Sequence, residues 1–229
     1  MFEFAQTNLQ LLDQARQRGL SAKELIRISR AYWGAIPLFS AMYRGSGKPI
    51  LSHLVGTASV LLATGARIDT VLAGLLHAAY ALGNFGGGEE KQEQRTALGS
   101  LIGDDAERIV RAYTSRPWNV QSIRALAAEA STLSPLDRQV VIVRLANEVD
   151  DHLNSGVLYC ANGPERRDFI ERSRDSLLAI AETLGQTDLR GILERAISDC
   201  LAADVSPDLR GEHRYSYVHP PNPTLDPLP

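Results

Sequence analysis

Cysteine is scarce in this 229-residue chain: there are two, Cys160 and Cys200. Neither belongs to a Cys-x-x-Cys pair, which excludes a zinc ribbon and argues against a disulfide framework. A basic excess is missing as well. The 24 Lys and Arg residues are balanced by 27 Asp and Glu, giving a net charge of −3, so the electrostatic footprint of a nucleic-acid binder is not there. Long apolar runs are missing too. The longest, Val71 to Leu82, is interrupted by His77 and falls short of the ~20 residues that cross a bilayer. The chain opens on Met1-Phe2-Glu3, acidic where a secretory leader is basic. No stretch alternates strictly between apolar and polar residues as a half-buried strand does, and no segment repeats. These absences point to a cytoplasmic protein with neither nucleic acid nor membrane as a partner.

What is present is enough apolar residue, 44% hydrophobic against 22% charged, to build a packed core. The periodicity is helical throughout. Asn8 to Arg18 stops at Gly19, a usual helix terminator. Ser21 and Glu24 form a capping box for a helix running to about Gly34, with Pro37 expected to kink or end it. An apolar helix follows from Leu51 to about Thr64, and Gly65 stops it. Asp69 is placed to cap the next, Val71 to Leu82, which is apolar on all sides and therefore central. Glu89 to Leu101 is polar and helix-prone. Asp104-Asp-Ala-Glu107 caps a helix to about Thr114, and Gln121 to Ala130 is a further one. Ser134-Pro135 starts a helix to about Asn154, with Pro at the first helical position. Gly163 to Leu184 and Thr187 to Ala202 complete an all-α bundle of about nine helices over residues 1–203. From Asp204 the pattern dissolves, and five of the last ten residues are proline. That composition predicts an extended arm over 204–229, either loose or lying across this subunit or a neighbour, with Tyr215, Tyr217 and His219 to bury.

The chemistry concentrates between Arg44 and Gly86. His53 and His77 lie in apolar helical sequence, preceded by the loop Arg44-Gly-Ser46-Gly47-Lys48-Pro49 and followed by the glycine-rich loop Gly83 to Gly88. The first loop, with two cations and two glycines, can cradle an anion through Arg44, Ser46, Lys48 and backbone N–H groups, or can be a plain turn. The second lacks the Lys-Ser/Thr of a P-loop and reads as a candidate lid. Tyr80, one turn past His77, is either a hydrogen-bond donor in the same cavity or a packed core residue.

The arrangement resembles the HD-domain superfamily, and most closely the hydrolase half of the RelA/SpoT-type (p)ppGpp enzymes. That family has R-x-S-G-x-P-x-x-x-H where this chain has Arg44, Ser46, Gly47, Pro49 and His53, and then L-L-H-D where this chain has Leu75, Leu76, His77 and Ala78. The family's late L-A-D-R-L-H-N stretch corresponds to Leu145-Ala146-Asn147-Glu148-Val149-Asp150-Asp151. The likeness covers about Ala31 to Leu153. It implies that His53 and His77 stand at the two histidine positions of a metal centre. Ala78 and Asn147 replace the two aspartates, and the acidic pair that follows the HD is also missing. It further implies that Arg44 belongs to a substrate-side loop.

Three expectations follow. In the first, the chain is a degenerate HD-domain protein that binds a small anionic or nucleotide-like ligand, has lost metal-dependent phosphohydrolysis and carries no cofactor, with His53 and His77 hydrogen-bonded to Asn147 across the old site. In the second, it is a divergent enzyme that uses His53, His77, Tyr80 and Asn147 in acid–base roles. In its metal-bound form, Mn, Fe or Zn is held by His53 and His77 with Asp150 or Asp151, which lie three and four residues past Asn147 on the same helix face; otherwise those aspartates are solvated at the helix end. In the third, the pocket is vestigial and the protein is an interaction module, assembling as a homo-oligomer through its arm.

Overall fold

The computed structural model describes residues 4–85 and 92–219. Among them are eleven α-helices and one two-stranded ribbon: α1 (Asn8–Gln17), α2 (Ala22–Phe39), β1 (Met42–Tyr43), α3 (Ile50–Ala63), α4 (Ile68–Leu76), α5 (Ala79–Leu82), α6 (Gln92–Ile102), α7 (Asp104–Ser115), α8 (Val120–Glu129), α9 (Pro135–His152), α10 (Gly163–Thr183), α11 (Thr187–Ala202) and β2 (Tyr217–Val218). The protein is an all-α bundle, as its periodicity predicts. Residues 89–91 of the polar helix, 86–88 of the candidate lid and 220–229 of the arm lie outside the described residues.

The bundle is organised around α3. Its residues from His53 to Leu62 are buried on every side, with α4 and α9 packed against it. A helix with no polar face has no stable place at the surface. Leu54, Leu61, Leu72, Leu75 and Leu145 are among the largest fully buried side chains at this junction. The remaining helices wrap it. α7 packs on α4 and α9, while α10 lies against α8 and α11.

Local chemistry sets most of the helix ends. The Ser21–Glu24 capping box forms, with Ser21 N donating to Glu24 Oε2 at 2.8 Å, and Thr7 with Gln10 makes a second that the sequence reading did not identify. Gly65 ends the α3 turn with φ +74°, a conformation that a Cβ would disfavour. Ser134 caps α9 through the Asp137 N–H, and Pro135 sits in the first turn.

Four expectations about boundaries need correction. α2 runs through Pro37 to Phe39; the carbonyl that loses its partner there belongs to Trp33, which is exposed and can be hydrated. The span Val71–Leu82 is not one helix but α4 and α5, separated at His77–Ala78. The His77 ring competes with the main chain for a carbonyl, since Nδ1 lies 2.7 Å from Gly74 O. Asp69 does not cap α4; Arg67 holds that position, and Asp69 instead accepts from Arg27 Nη2 at 2.6 Å. α7 has Gly103 at its N-cap without a side-chain cap, and its acidic first turn complements the helix dipole instead.

After α9 the chain makes a tight irregular run, Leu153–Tyr159, with Asn154 and Ser155 at positive φ. Beyond α11, residues 204–219 return along the body, where β2 pairs antiparallel with β1, Met42 against Val218 and Tyr43 against Tyr217. This described portion of the arm therefore lies on its own chain.

Truncating a side chain at the α3–α4 junction should leave a cavity that rigid helices cannot close. Leu61→Ala is expected to cost about 3 kcal/mol, read as a fall in unfolding free energy with unchanged denaturant dependence.

Candidate functional site

Pro49 begins α3, which places His53 in the first turn and leaves the preceding loop folded back on itself. Arg44 N donates to Lys48 O and Gly47 N to Arg44 O, both at 2.8 Å. Across from it, the last two turns of α9 deliver Asn147, Asp150 and Asp151. These two elements meet because α3 carries Gly56 where they touch. A Cβ built on Gly56 would overlap Asp150 Oδ1, so the absent side chain is what admits the carboxylate.

Asp150 is 2% exposed and His53 1%. Asp150 Oδ2 lies 2.7 Å from His53 Nδ1, and Lys48 Nζ donates to both of its oxygens at 2.8 Å. Burial pushes the Asp150 carboxyl up, but the His53 hydrogen bond and the Lys48 ammonium outweigh it and hold the group below the usual range. Asp151 takes both oxygens to Arg44 Nη2, at 2.5 and 2.7 Å. It too is held low against burial, chiefly by that guanidinium.

His77 is the other half of the pair. Its Nδ1 faces the Gly74 carbonyl, which only accepts, so Nδ1 carries the proton. Burial, with His53 nearby, lowers its pKa to about 3, so the ring is neutral and Nε2 bears a lone pair. His53 Nδ1, against a carboxylate, is likewise the protonated nitrogen. The two Nε2 atoms then face one another at 3.3 Å. Either His53 holds a second proton and donates it to His77, or two lone pairs converge on one point. The arrangement is a site for a single shared proton or a Lewis acid.

The structure brings His53, His77, Arg44, Lys48, Asp150 and Asp151 together. The other expected residues fall out differently. His53 and His77 do not bond to Asn147 across the site: Asn147 donates from Nδ2 to Asp151 at 3.1 Å and accepts from Tyr113 Oη at 3.3 Å. Tyr80 turns away, donating to Glu107 at 2.6 Å and stacking on Phe85. The tyrosine beside His77 is Tyr113 of α7, 4.9 Å between ring centres. Nothing in its sequence marks it beyond an inward position on an amphipathic helix. Burial pushes its hydroxyl up to about 12, so it is a donor at all ordinary pH. At the helix end Asp150 is buried and Asp151 partly buried, each held in an ion pair rather than solvated. Ser46 lines the cavity without a role in the ion pairs.

The cavity outside the pair has a volume of about 1430 Å³. His77 and the methyl of Ala78 lie on its inner wall, Arg166 of α10 on its side, and Gln6 and Tyr215 come from the two ends of the described chain. On the far side of α9, Glu148 accepts from Trp118 Nε1 at 2.7 Å. Burial, with Asp151 close by, raises its pKa to about 7.

His53, Asp150 and Asp151 present ligand atoms within 4.8 Å of one another, a buried cluster that could hold a metal ion. Each of those donors is engaged as the side chains stand: His53 with Asp150, Asp150 with Lys48, and Asp151 with Arg44. An ion binding there would have to displace two cations. On the opposite side of the rings, His53 and His77 offer two nitrogens, one short of the three protein ligands usual in a catalytic centre.

Residues 40–117, about a third of the chain, match a family model described as "Domain of unknown function (DUF6817)". The match takes in His53, His77 and Tyr113 and leaves out the aspartates of α9. No curated protein matches the chain by sequence. Among solved structures, the chain is similar to a metazoan ortholog of SpoT that hydrolyzes ppGpp and plays a role in starvation responses, with 17% identity over 79% of this chain and 94% of that one and a TM-score of 0.45.

Gly56→Ala should drive Asp150 from its partners and strand the buried His53 imidazole and the partly buried Lys48 ammonium, at a cost of about 3 kcal/mol, measurable by chemical denaturation. The titrating groups also set a pH profile. His77, with its pKa lowered to about 3, and His152, lowered by burial to about 4, contribute stability that is present above their unfolded value near 6.5 and lost as pH falls toward 4 and 3. Glu148, raised to about 7, contributes stability present below its unfolded value near 4.5 and lost as pH rises through 7. Glu148→Gln is therefore expected to raise Tm at pH 8 and not at pH 5, as read by thermal melts across that range.

Proposed function

We propose that this chain is an HD-like helical protein that binds a small anionic or nucleotide-like ligand in its central cavity and has lost metal-dependent phosphohydrolysis. The observation that carries this reading is the internal charge balance. The two carboxylates nearest the histidines are matched by Lys48 and Arg44 of the same chain, so they present little net attraction for a divalent ion. Ala78 and Asn147, where the resembling hydrolases have metal-binding aspartates, agree with it. Support for an anionic ligand comes from the cavity wall. Arg166 faces the cavity, and its buried Nε has no hydrogen-bond partner among the described residues, while Arg44 and Lys48 are already paired. A buried donor without a partner favours a ligand that accepts from it. Within this reading His53 and His77 hold a proton between their Nε2 atoms, and Tyr113 and Asn147 fix the adjacent wall.

A second reading is favoured by one observation. Both histidines have Nδ1 anchored, by Asp150 and by a backbone carbonyl, and their Nε2 atoms are 3.3 Å apart. That is the way metal-binding imidazoles are commonly oriented, and the separation suits two nitrogens on one ion at the usual ~2.1 Å. A divalent ion there would act as a Lewis acid toward a phosphoryl or carbonyl oxygen, in a divergent enzyme.

Elemental analysis of protein purified without chelator separates the two. The expected result is no stoichiometric manganese, iron or zinc in the wild type. A near-stoichiometric ion that disappears in the His53→Ala/His77→Ala variant overturns the proposal in favour of the second reading. Guanosine diphosphate and inorganic phosphate serve as probes of the cavity: at least one should raise Tm, with binding weakened about tenfold or more in Arg166→Gln.

A further inference from the structure

The Arg44–Lys48 loop does not hold its shape alone. β1 leads directly into it, and the returning C-terminal segment is laid along its outer side. Beyond the β1–β2 pairing, His219 N donates to Ala41 O at 2.8 Å, Ala161 N to His213 O at 3.1 Å and Gly211 N to Tyr159 O at 2.7 Å. The segment is thus bonded on one side to the strand that precedes the loop and on the other to the run that follows α9 and shares the cavity wall with Asp150 and Asp151.

Side chains tighten the same junction. Tyr217 stacks on Tyr43 with ring centres 5.7 Å apart and on His213 at 3.6 Å. Gly45, between Arg44 and Ser46, lies so close to the segment that an added Cβ would stand 2.7 Å from His213 O and 3.1 Å from Cys160 Sγ. Only glycine admits that approach. Arg214 pairs with Glu165 of α10 at 3.1 Å, and Arg214, Tyr215 and Ser216 face the central cavity.

We propose that residues 211–219 are a working part of the site: a strap that directs Arg44 and Lys48 onto Asp151 and Asp150 and forms the cavity's outer wall. Tyr217 is its positioning residue, acting through Tyr43, and Gly45 is the point of close contact. The orientation of a four-carbon or guanidinium side chain depends on the backbone that carries it. The loop is closed by its own two hydrogen bonds and the Tyr43–Pro49 bridge, and α3 anchors its far end at Pro49; the strap supplies the anchor at its near end. The proposal deepens the reading of Arg44 and Lys48 as the site's internal cations. Metal found in the wild type would overturn that reading and leave the strap measurement standing.

The experiment uses the full chain. Wild type, Tyr217→Ala, Tyr217→Phe and Gly45→Ala are compared by hydrogen exchange of residues 41–49 and 211–219, by the NMR signal of the Arg44 guanidinium and by the ring signals of His53 and His77. Far-UV circular dichroism monitors the bundle. The expected result is faster exchange of the Arg44 and Gly47 amides in Tyr217→Ala and Gly45→Ala, by about tenfold or more. Loss of the protected guanidinium signal and shifted His53 ring resonances should accompany it, with helix content unchanged and Tyr217→Phe like wild type. Gly45→Ala carries the test if Tyr217→Ala does not fold. A strap that stays protected in the folded variants overturns the proposal, and so does an Arg44 signal that survives the strap's release.

Discussion

The contact between Asp150 and His53 is the constraint on which the site depends. A carboxylate that is 2% exposed is costly to bury unless each oxygen has a partner. Here the partners come from α3, from the loop before it and from the N-terminal segment, where Gln6 Nε2 reaches Oδ1 at 3.4 Å. Satisfying that one group fixes the depth at which α9 ends, the rotamer of His53 and the inward turn of Lys48. Once His53 is fixed, its Nε2 can point only at His77, whose own ring is held by Gly74.

The charges are arranged in opposed pairs rather than as a field. Arg44 and Lys48 neutralise Asp151 and Asp150, leaving the histidine pair as the variable element, with His77 kept neutral by burial. Such a centre differs in kind from one in which carboxylates stand uncompensated. Tyr113 and Asn147 stand beside it, and Arg166 faces the open volume. The low dielectric that strengthens these contacts also makes each dependent on the others. This is why Gly56, which touches no ligand, bears on the whole cluster.

Much of the fold was legible in the chain. Capping residues, the proline at the start of α9 and terminating glycines act within a turn or two, so their effect is written locally. The limits of that reading are equally physical. The break at His77 comes from a ring bonding a carbonyl of its own helix, which periodicity does not register. The passage of α2 through Pro37 depends on which face of the helix meets water. Tyr80 and Tyr113 show the same limit within the site: the tyrosine one turn from His77 in sequence faces Glu107, and the one beside His77 in space comes from another helix.

The sequence by itself determined the all-helical architecture, the two histidines, the loop of Arg44 and Lys48, the uncharged residues Ala78 and Asn147, and the placing of Asp150 and Asp151 on the face of Asn147. These follow from residue identity and from the fixed pitch of a helix. Tertiary structure decided whether the last turn of α9 is solvated or buried, whether the loop's cations face a ligand or the protein's own carboxylates, and where residues 204–219 lie. Each of those is a question of what covers what. The answer depends on segments far apart in the chain, such as Gly56 against Asp150 and Gly45 against His213, meeting at distances that no local pattern encodes.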